Sequence, residues 1–222
     1  MSKQTKTSVG NASLSAKVAD QPKSREGKKA YKRQRIKAAA KDIFAVRGFE
    51  NTNLREIAQA AGVALGTLSL YARDKRDLIL LMFNDEMAEI IEKAGKEIDE
   101  QNEFLPNVMG FFETFYREFG SNVILARTFL QQNFFFSGIN TSALAENEAQ
   151  IVRHLCRAII IARGKSEVRL DEDVEILAQS IYLTYVASVR LWISEERPVP
   201  KRGIAHLHRL LLVQIRGLSS ES

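Results

Sequence analysis

A few basic, hydroxyl and apolar side chains in the first third of the chain could contact a nucleic acid. Arg55 can place two hydrogen bonds on the edge of a guanine, and the hydroxyls of Thr67 and Ser69 can bond to phosphate oxygens. Leu65 and Leu70 have no hydrogen-bonding side chain, so on a duplex they could read only thymine methyl groups or groove shape. Such contacts require a rigid element that presents these side chains on one surface.

Two short helices joined by a tight turn can supply that surface. Residues 54–61 carry one apolar stripe at helical spacing. Asn53 and Glu56 give a start signal, in which the asparagine caps the first turn and the glutamate reaches back to it. Gly62 suits the left-handed residue that ends a helix, and a second short helix is predicted over residues 65–71.

Ala58, Gly62 and Leu68 have the spacing of a helix-turn-helix. Two helices that cross near a right angle can touch only through a small side chain, here Ala58. A first helix with Ile36 on its apolar side, ending at Gly48, would complete a small core. The sequence therefore predicts a compact three-helix head.

Residues 43–68, IFAVRGFENTNLREIAQAAGVALGTL, resemble the DNA-binding head of the TetR (tetracycline-repressor) family of bacterial transcription regulators. The chain has Ser69 where the family usually has tyrosine, and Ala72 where it usually has phenylalanine. The junction to the next helix is therefore expected to rest on Tyr71 and Leu78. The resemblance implies an all-α fold of about nine helices, and a ligand-responsive regulator that is a repressor by family default.

The predicted DNA contacts combine matching family positions with the outer face of the third helix. Base readout is assigned to Arg55 and to that face. The predicted DNA-binding residues are Lys28, Thr52, Arg55, Ala64, Leu65, Gly66, Thr67, Ser69, Leu70, Tyr71 and Lys75.

Positive charge is concentrated at the amino terminus. Residues 1–40 carry 11 Lys or Arg against two acidic residues, a net charge of +9, whereas the remaining residues sum to −4. Six of these bases crowd the start of the first helix, where the helix dipole favours acids. Phosphate is the natural counter-charge beside a helix-turn-helix. Residues 1–27 are predicted to be a disordered basic tail, and residues 28–84 the DNA-binding domain.

Composition argues against several other classes of protein. The amino terminus lacks the apolar block of a secretory signal, and no run of about 18 apolar residues spans a membrane, so a cytoplasmic location is expected. Cys156 lies within an apolar helical pattern and is predicted to be buried. No catalytic constellation, phosphate loop or metal-ligand spacing is recognisable, so we expect no enzyme, no metal and no cofactor.

Residues 85–222 are predicted to form a larger helical domain. Its first helix is expected to begin after a cap at Asp74 and to run from Lys75 toward Glu100, with a fully buried apolar segment over residues 78–83. Further helices are predicted over residues 104–119, 143–164, 172–193 and 203–218. Because residues 78–83 would lie between the head and the domain, movement of this helix would move the head.

Nine of the twelve phenylalanines lie between residues 104 and 136. By periodicity alone they fill a helical core, since aromatic stripes ordinarily serve helix packing. The family resemblance implies instead that some of them line an inducer site for an apolar or aromatic small molecule. The residues predicted to line that site are Phe111, Phe115, Phe129, Phe134 and Tyr182.

The last two helices have apolar faces too wide for one neighbour, which predicts a partner subunit. The resemblance places a homodimer interface there. A two-fold dimer on a palindromic double-stranded operator would double the contact of one short recognition helix. An alternative is a protein that binds DNA without regard to sequence, with the large domain serving only for assembly.

Overall fold

The computed structural model describes residues 24–132, 138–168 and 171–216, and within them the fold is all-helical, as predicted. Nine helices are found in these ranges. They are α1 (Arg25–Arg47), α2 (Leu54–Ala60), α3 (Leu65–Leu68), α4 (Lys75–Gly95), α5 (Phe104–Ser121), α6 (Val123–Gln132), α7 (Thr141–Gly164), α8 (Val174–Ile193) and α9 (Pro200–Arg216).

The head consists of α1 to α3 packed against the start of α4. Ser24 begins α1 by accepting a hydrogen bond from the Gly27 backbone N–H at 3.0 Å. The tail was expected to end at residue 27, but α1 already begins at Arg25. Residues 1–23 lie outside the described part. Ile36, Ile57 and Leu68 are fully buried and hold the three helices together.

The predicted cap of α2 is confirmed in part. The Asn53 side chain accepts a hydrogen bond from the Glu56 backbone N–H at 3.0 Å. The Glu56 carboxylate does not reach back to this cap, because it lies 3.3 Å from the Arg47 guanidinium at the end of α1. The acid therefore links two helices instead of closing a reciprocal capping box.

The turn after α2 depends on Gly62. This residue adopts a φ of 60°, a left-handed conformation that residues with a Cβ disfavour, and the Val63 N–H reaches back to the Ala58 carbonyl at 2.9 Å. A Cβ on Gly62 would also collide with the Arg35 guanidinium from α1. The guanidinium is the far end of a flexible side chain that can move aside, so it is the left-handed turn that requires glycine here.

Helix α3 is regular over four residues only and is shorter than predicted. After Leu68 the chain tightens into turns, in which the Leu70 N–H bonds to the Thr67 carbonyl. Helix α4 begins at the predicted cap, where Asp74 accepts from the Asp77 N–H at 2.9 Å. Its apolar segment is buried as expected, and the helix ends at Gly95, short of Glu100.

Helices α5, α7, α8 and α9 pack around one aromatic core. Phe112 stacks on Tyr185 with ring centroids 4.2 Å apart, and the Tyr116 hydroxyl lies 2.9 Å from the Ser188 hydroxyl. In the described part of the chain, α8 is the one helix long and apolar enough to cross a membrane by composition. Here it packs against α7 and α9.

Candidate DNA-binding surface and ligand cavity

The outer face of α3 is open to solvent. Leu65 is 39% exposed and Leu70 77% exposed, and Gly66 and Ser69 are also exposed, whereas Leu68 is fully buried beneath them. The segment therefore stands on a packed base and offers its other side to a groove. Its geometry is compatible with insertion into the major groove.

Arg55 lies on the exposed side of α2. The Ser69 hydroxyl bonds to the Leu65 carbonyl at 3.1 Å, so a phosphate would have to compete for its proton. The side chain of Thr67 is half-buried, and Ala64, the residue before α3, is exposed. Arg55, Ala64 and Ser69 are thus open to solvent in the head.

Three of the predicted contact residues also have structural bonds. The Thr52 hydroxyl donates to the Gly48 carbonyl at 2.8 Å, and Thr52 is buried. The Lys75 ammonium donates to the Phe49 carbonyl at 2.8 Å and lies over the Phe49 ring. The Tyr71 hydroxyl donates to the Lys29 carbonyl at 3.2 Å. Their side chains thus brace the head, whatever they also do on DNA.

We call residues 65–71, which comprise α3 and the turn after it, the recognition segment. The first turns of α1 form a basic groove beside this segment. Its walls combine four cations with an apolar and an aromatic side chain. The lining residues are Arg25, Lys28, Lys29, Lys32, Leu70 and Tyr71. A phosphate backbone passing α3 would meet this groove, which matches the charge pattern expected from the sequence.

Two other bases of α1 have a different role. Arg33 forms two hydrogen bonds to the Asp85 carboxylate on α4, and the Lys37 ammonium lies 2.9 Å from the same group. Burial of Asp85 opposes its ionisation, but the hydrogen bonds from Arg33 and Lys37 outweigh it and lower the pKa of the carboxyl. This ion-pair cluster joins α1 to the middle of α4.

The large domain contains a cavity of about 290 Å³. Its walls come from α4 to α8 and are mainly aromatic and aliphatic. Phe115, Phe129 and Tyr182, three of the residues predicted to line an inducer site, lie on its wall. Phe111 does not, because it is fully buried between Phe112, Phe115 and His154. Phe134 lies outside the described residues.

Polar side chains on the cavity wall were missed by the sequence reading. Asn147 is buried in the wall, while Glu148 and Arg190 also line the cavity. Partial desolvation raises the pKa of the Glu148 carboxyl, and a hydrogen bond with the Tyr182 hydroxyl opposes this rise. Leu144, Asn147 and Ile151 recur at helical spacing on α7, which was the only signal available in the sequence.

Residues 36–82 match the model of the family described as bacterial regulatory proteins, tetR family, and they coincide with the head described above. The match shows a TetR-type DNA-binding head over 47 of the 222 residues. The "Fatty acid metabolism regulator protein" of Bacillus subtilis (strain 168) is 35% identical over 63 residues, which cover 28% of this chain and 32% of that protein. The sequence likeness to this relative is therefore confined to about a third of its length.

Solved structures extend the likeness beyond the head to most of the chain. FadR from Bacillus subtilis in complex with stearoyl-CoA gives a TM-score of 0.66 at 20% identity, covering 84% of this chain and 99% of that one. FadR from Thermus thermophilus in complex with lauroyl-CoA also gives 0.66 at 20% identity, covering 86% and 96%. FadR from Bacillus halodurans gives 0.64 at 20% identity, covering 84% and 99%. At these identities the likeness shows the fold.

Proposed function

We propose that this protein is a ligand-responsive transcription regulator, by family default a cytoplasmic repressor, that binds a palindromic operator as a dimer. The single observation that carries this proposal is the exposed face of α3 on a fully buried base. Leu65 and Leu70, 39% and 77% exposed next to a basic groove, form an apolar surface that the described residues leave uncovered. A DNA groove accounts for both features.

In this proposal Arg55 reads a base, while Leu65 of α3 and Leu70 of the turn after it contact thymine methyl groups or read the shape of the groove. Lys28 and the rest of the basic groove contact phosphates, together with the hydroxyls of Thr67 and Ser69. Thr52, Tyr71 and Lys75 support these contacts by holding the α1–α2 loop and α1 in place, as their hydrogen bonds indicate.

The cavity is the proposed inducer site. Its aromatic and aliphatic walls suit an elongated apolar group, and Arg190, which also lines the cavity, could approach an anionic part of the same ligand. Two proteins of the same fold have solved structures in complex with acyl-CoA, one with stearoyl-CoA and the other with lauroyl-CoA. Fatty acyl-CoA is therefore the first ligand class to test on this chain.

A homodimer through α8 and α9 is supported by their exposed apolar side chains. Ile176, Leu183 and Leu191 on α8 are each more than half exposed, and Val213 on α9 is 54% exposed. Such a surface on a soluble regulator is normally covered by a partner. Leu183→Glu should convert the dimer to a monomer in light scattering, and an unchanged mass would contradict this interface.

Selection of bound fragments from a random DNA pool tests the DNA-binding function. A regulator should recover a motif of two half-sites and prefer it over bulk DNA by about a thousandfold or more. One observation favours the alternative, binding without regard to sequence. Leu65 and Gly66 on α3 have no side-chain group that could form a hydrogen bond with a base. Recovery of no motif, with tight salt-dependent binding, would support that alternative.

The inducer is tested by fluorescence anisotropy of the recovered duplex. Titration with dodecanoyl-CoA and octadecanoyl-CoA should release DNA, whereas coenzyme A without an acyl chain should not, because the apolar walls of the cavity would have nothing to bind. Release by coenzyme A alone, or by none of the three, would contradict the acyl-CoA assignment.

A further inference from the structure

Polar side chains lie between the head and the start of α7; Asp77, Asn84 and Asn147 are buried, and Asn140 is half-buried. Asp77 is fully buried and accepts hydrogen bonds from the backbone N–H groups of Arg73, Ile139 and Asn140 at 2.9 to 3.1 Å. The Asn140 side-chain amide also donates to Asp77, and to the Tyr71 carbonyl at 2.9 Å. One carboxylate thus ties the turn after α3 to the beginning of α7.

The same polar contacts continue toward the cavity. The Asn84 side-chain amide on α4 donates to the Asn140 carbonyl at 2.9 Å. The Asn147 side-chain amide on α7 donates to the Asn84 carbonyl at 3.0 Å, and Asn147 lines the cavity. A continuous set of hydrogen bonds therefore leads from the cavity wall to the base of the recognition segment. We call Asp77, Asn84, Asn140 and Asn147 the polar ladder.

The chemistry of the polar ladder suits a coupling element. In a region of low dielectric, leaving a buried polar group without a partner is costly, so a shift of one of these hydrogen bonds favours a shift of the next. The Asn84 side-chain oxygen is buried and accepts no hydrogen bond from any described residue. A second arrangement that satisfies this oxygen would compete with the first, as a two-state element requires.

We propose that the polar ladder couples the cavity to the DNA-binding head, with Asn140 as the positioning residue at their junction. The inference rests on the proposed function and specifies how that function is regulated. A ligand that displaces the Asn147 side chain shifts Asn84 and Asn140, and the Asn140 amide then changes its hold on the Tyr71 carbonyl. Because coupling between two sites is reciprocal, DNA bound at the head must also change the local stability of α7.

Hydrogen exchange followed by mass spectrometry tests this without an identified inducer. The full-length protein is compared free and saturated with a duplex whose binding is measured by anisotropy. We expect DNA to slow exchange in the head and also, by at least about threefold, in residues 138–148, which comprise the start of α7 and the three residues before it. In Asn140→Ala the head should still be protected, and the effect on residues 138–148 should be lost.

Asn107→Ala is the matched control. Asn107 is a fully buried asparagine on α5, away from the polar ladder. Its side-chain amide donates to the carbonyl of Asp99, in the loop that joins α4 to α5, at 2.8 Å. Its substitution should cost a similar amount of stability and leave the DNA effect on residues 138–148 intact. Asn147→Ala breaks the ladder at the cavity end without touching Asp77, so it serves if Asn140→Ala does not fold.

The outcomes separate this inference from the proposed function. If DNA protects the head of the wild type and leaves residues 138–148 unchanged, the inference is wrong and the DNA-binding function stands. If Asn107→Ala abolishes the effect as fully as Asn140→Ala, general destabilisation explains it and the inference is also wrong. If no duplex binds at any salt concentration, the proposed function fails and the inference falls with it.

Discussion

The head and the large domain reach their structures by different routes. In the head, the decisive features are local, such as the Asn53 cap and the left-handed Gly62, each set within three or four residues of the helix end it controls. In the large domain, helices far apart in sequence meet through aromatic rings such as Phe112 and Tyr185. The head is therefore specified by turn chemistry and the domain by packing.

This difference extends to function. In the head, Leu68 is fully buried and supports the exposed face of α3, and the proposed DNA contacts are the side chains that stay outside this core. The large domain has its proposed function on the inside, where the packing of α4 to α8 leaves a cavity. Substitutions in the head should therefore separate stability from binding, whereas substitutions around the cavity should affect the two together.

The largest effect should come from the filled side of the aromatic core. Phe112→Ala removes a fully buried ring stacked on Tyr185 and should lower the free energy of unfolding by about 3–5 kcal/mol. Urea denaturation measures this loss. Leu130→Ala is the control, because Leu130 is half-buried on the cavity wall and should cost distinctly less. Equal losses would show that core and cavity are not packed differently.

A change at the turn of the head should be next in size. Gly62→Ala forces a residue with a Cβ into a left-handed conformation and should destabilise the head by roughly 1–2 kcal/mol. Thermal unfolding followed by circular dichroism measures this. Gly66→Ala is matched, since a Cβ there meets nothing within 4 Å, and it should leave stability unchanged or raised. If Gly62→Ala is as stable as the wild type, the left-handed turn does not determine the stability of the head.

The sequence predicted the head well because its rules act over a few residues. The stripe over residues 54–61, the caps at Asn53 and Asp74, and the turn at Gly62 were all read from spacing and side-chain chemistry. Asn84 stood out in the sequence only as a polar residue after an apolar run. Nothing local indicated that its amide would bond to a carbonyl 56 positions further along the chain.

The candidate site was predictable to a different degree in each region. The exposed face of α3 follows from periodicity, since burying Leu68 leaves its neighbours outside. Whether a phenylalanine fills the core or lines a cavity depends on helix packing, which periodicity does not describe. Phe111 and Phe115 are four residues apart on the same helix, yet only Phe115 reaches the cavity.

Arg55→Ala tests whether the head reads sequence. It should weaken binding to the selected operator by about 1–3 kcal/mol and relax the base preference at one position of each half-site. Anisotropy on the operator and on a scrambled duplex, at the same salt concentration, measures both. Arg153→Ala is the control, because it removes an equally exposed positive charge from the large domain. Equal weakening on both duplexes would limit Arg55 to an electrostatic role.

The smallest effect should come from the ion pairs that join the two regions. In the folded protein the pKa of Asp85 lies below its ordinary value of 3.8, so its ionised form stabilises the fold. This contribution is present above the unfolded pKa and is lost as the pH falls through the lowered folded pKa. Because Asp85 is 44% exposed, Asp85→Asn should cost about 1 kcal/mol or less at neutral pH.

Urea midpoints of wild type and Asp85→Asn should therefore differ at neutral pH and converge in acid, where both side chains are uncharged. Glu92→Gln is the control, since its pair with Lys96 is exposed and lies within α4 alone. A difference that persists in acid would mean that the Asp85 side chain acts through shape or hydrogen bonding and not through charge. Since Arg33 and Lys37 both lie on α1, such a result would leave the head attached to α4 mainly by apolar contacts such as those of Ile36.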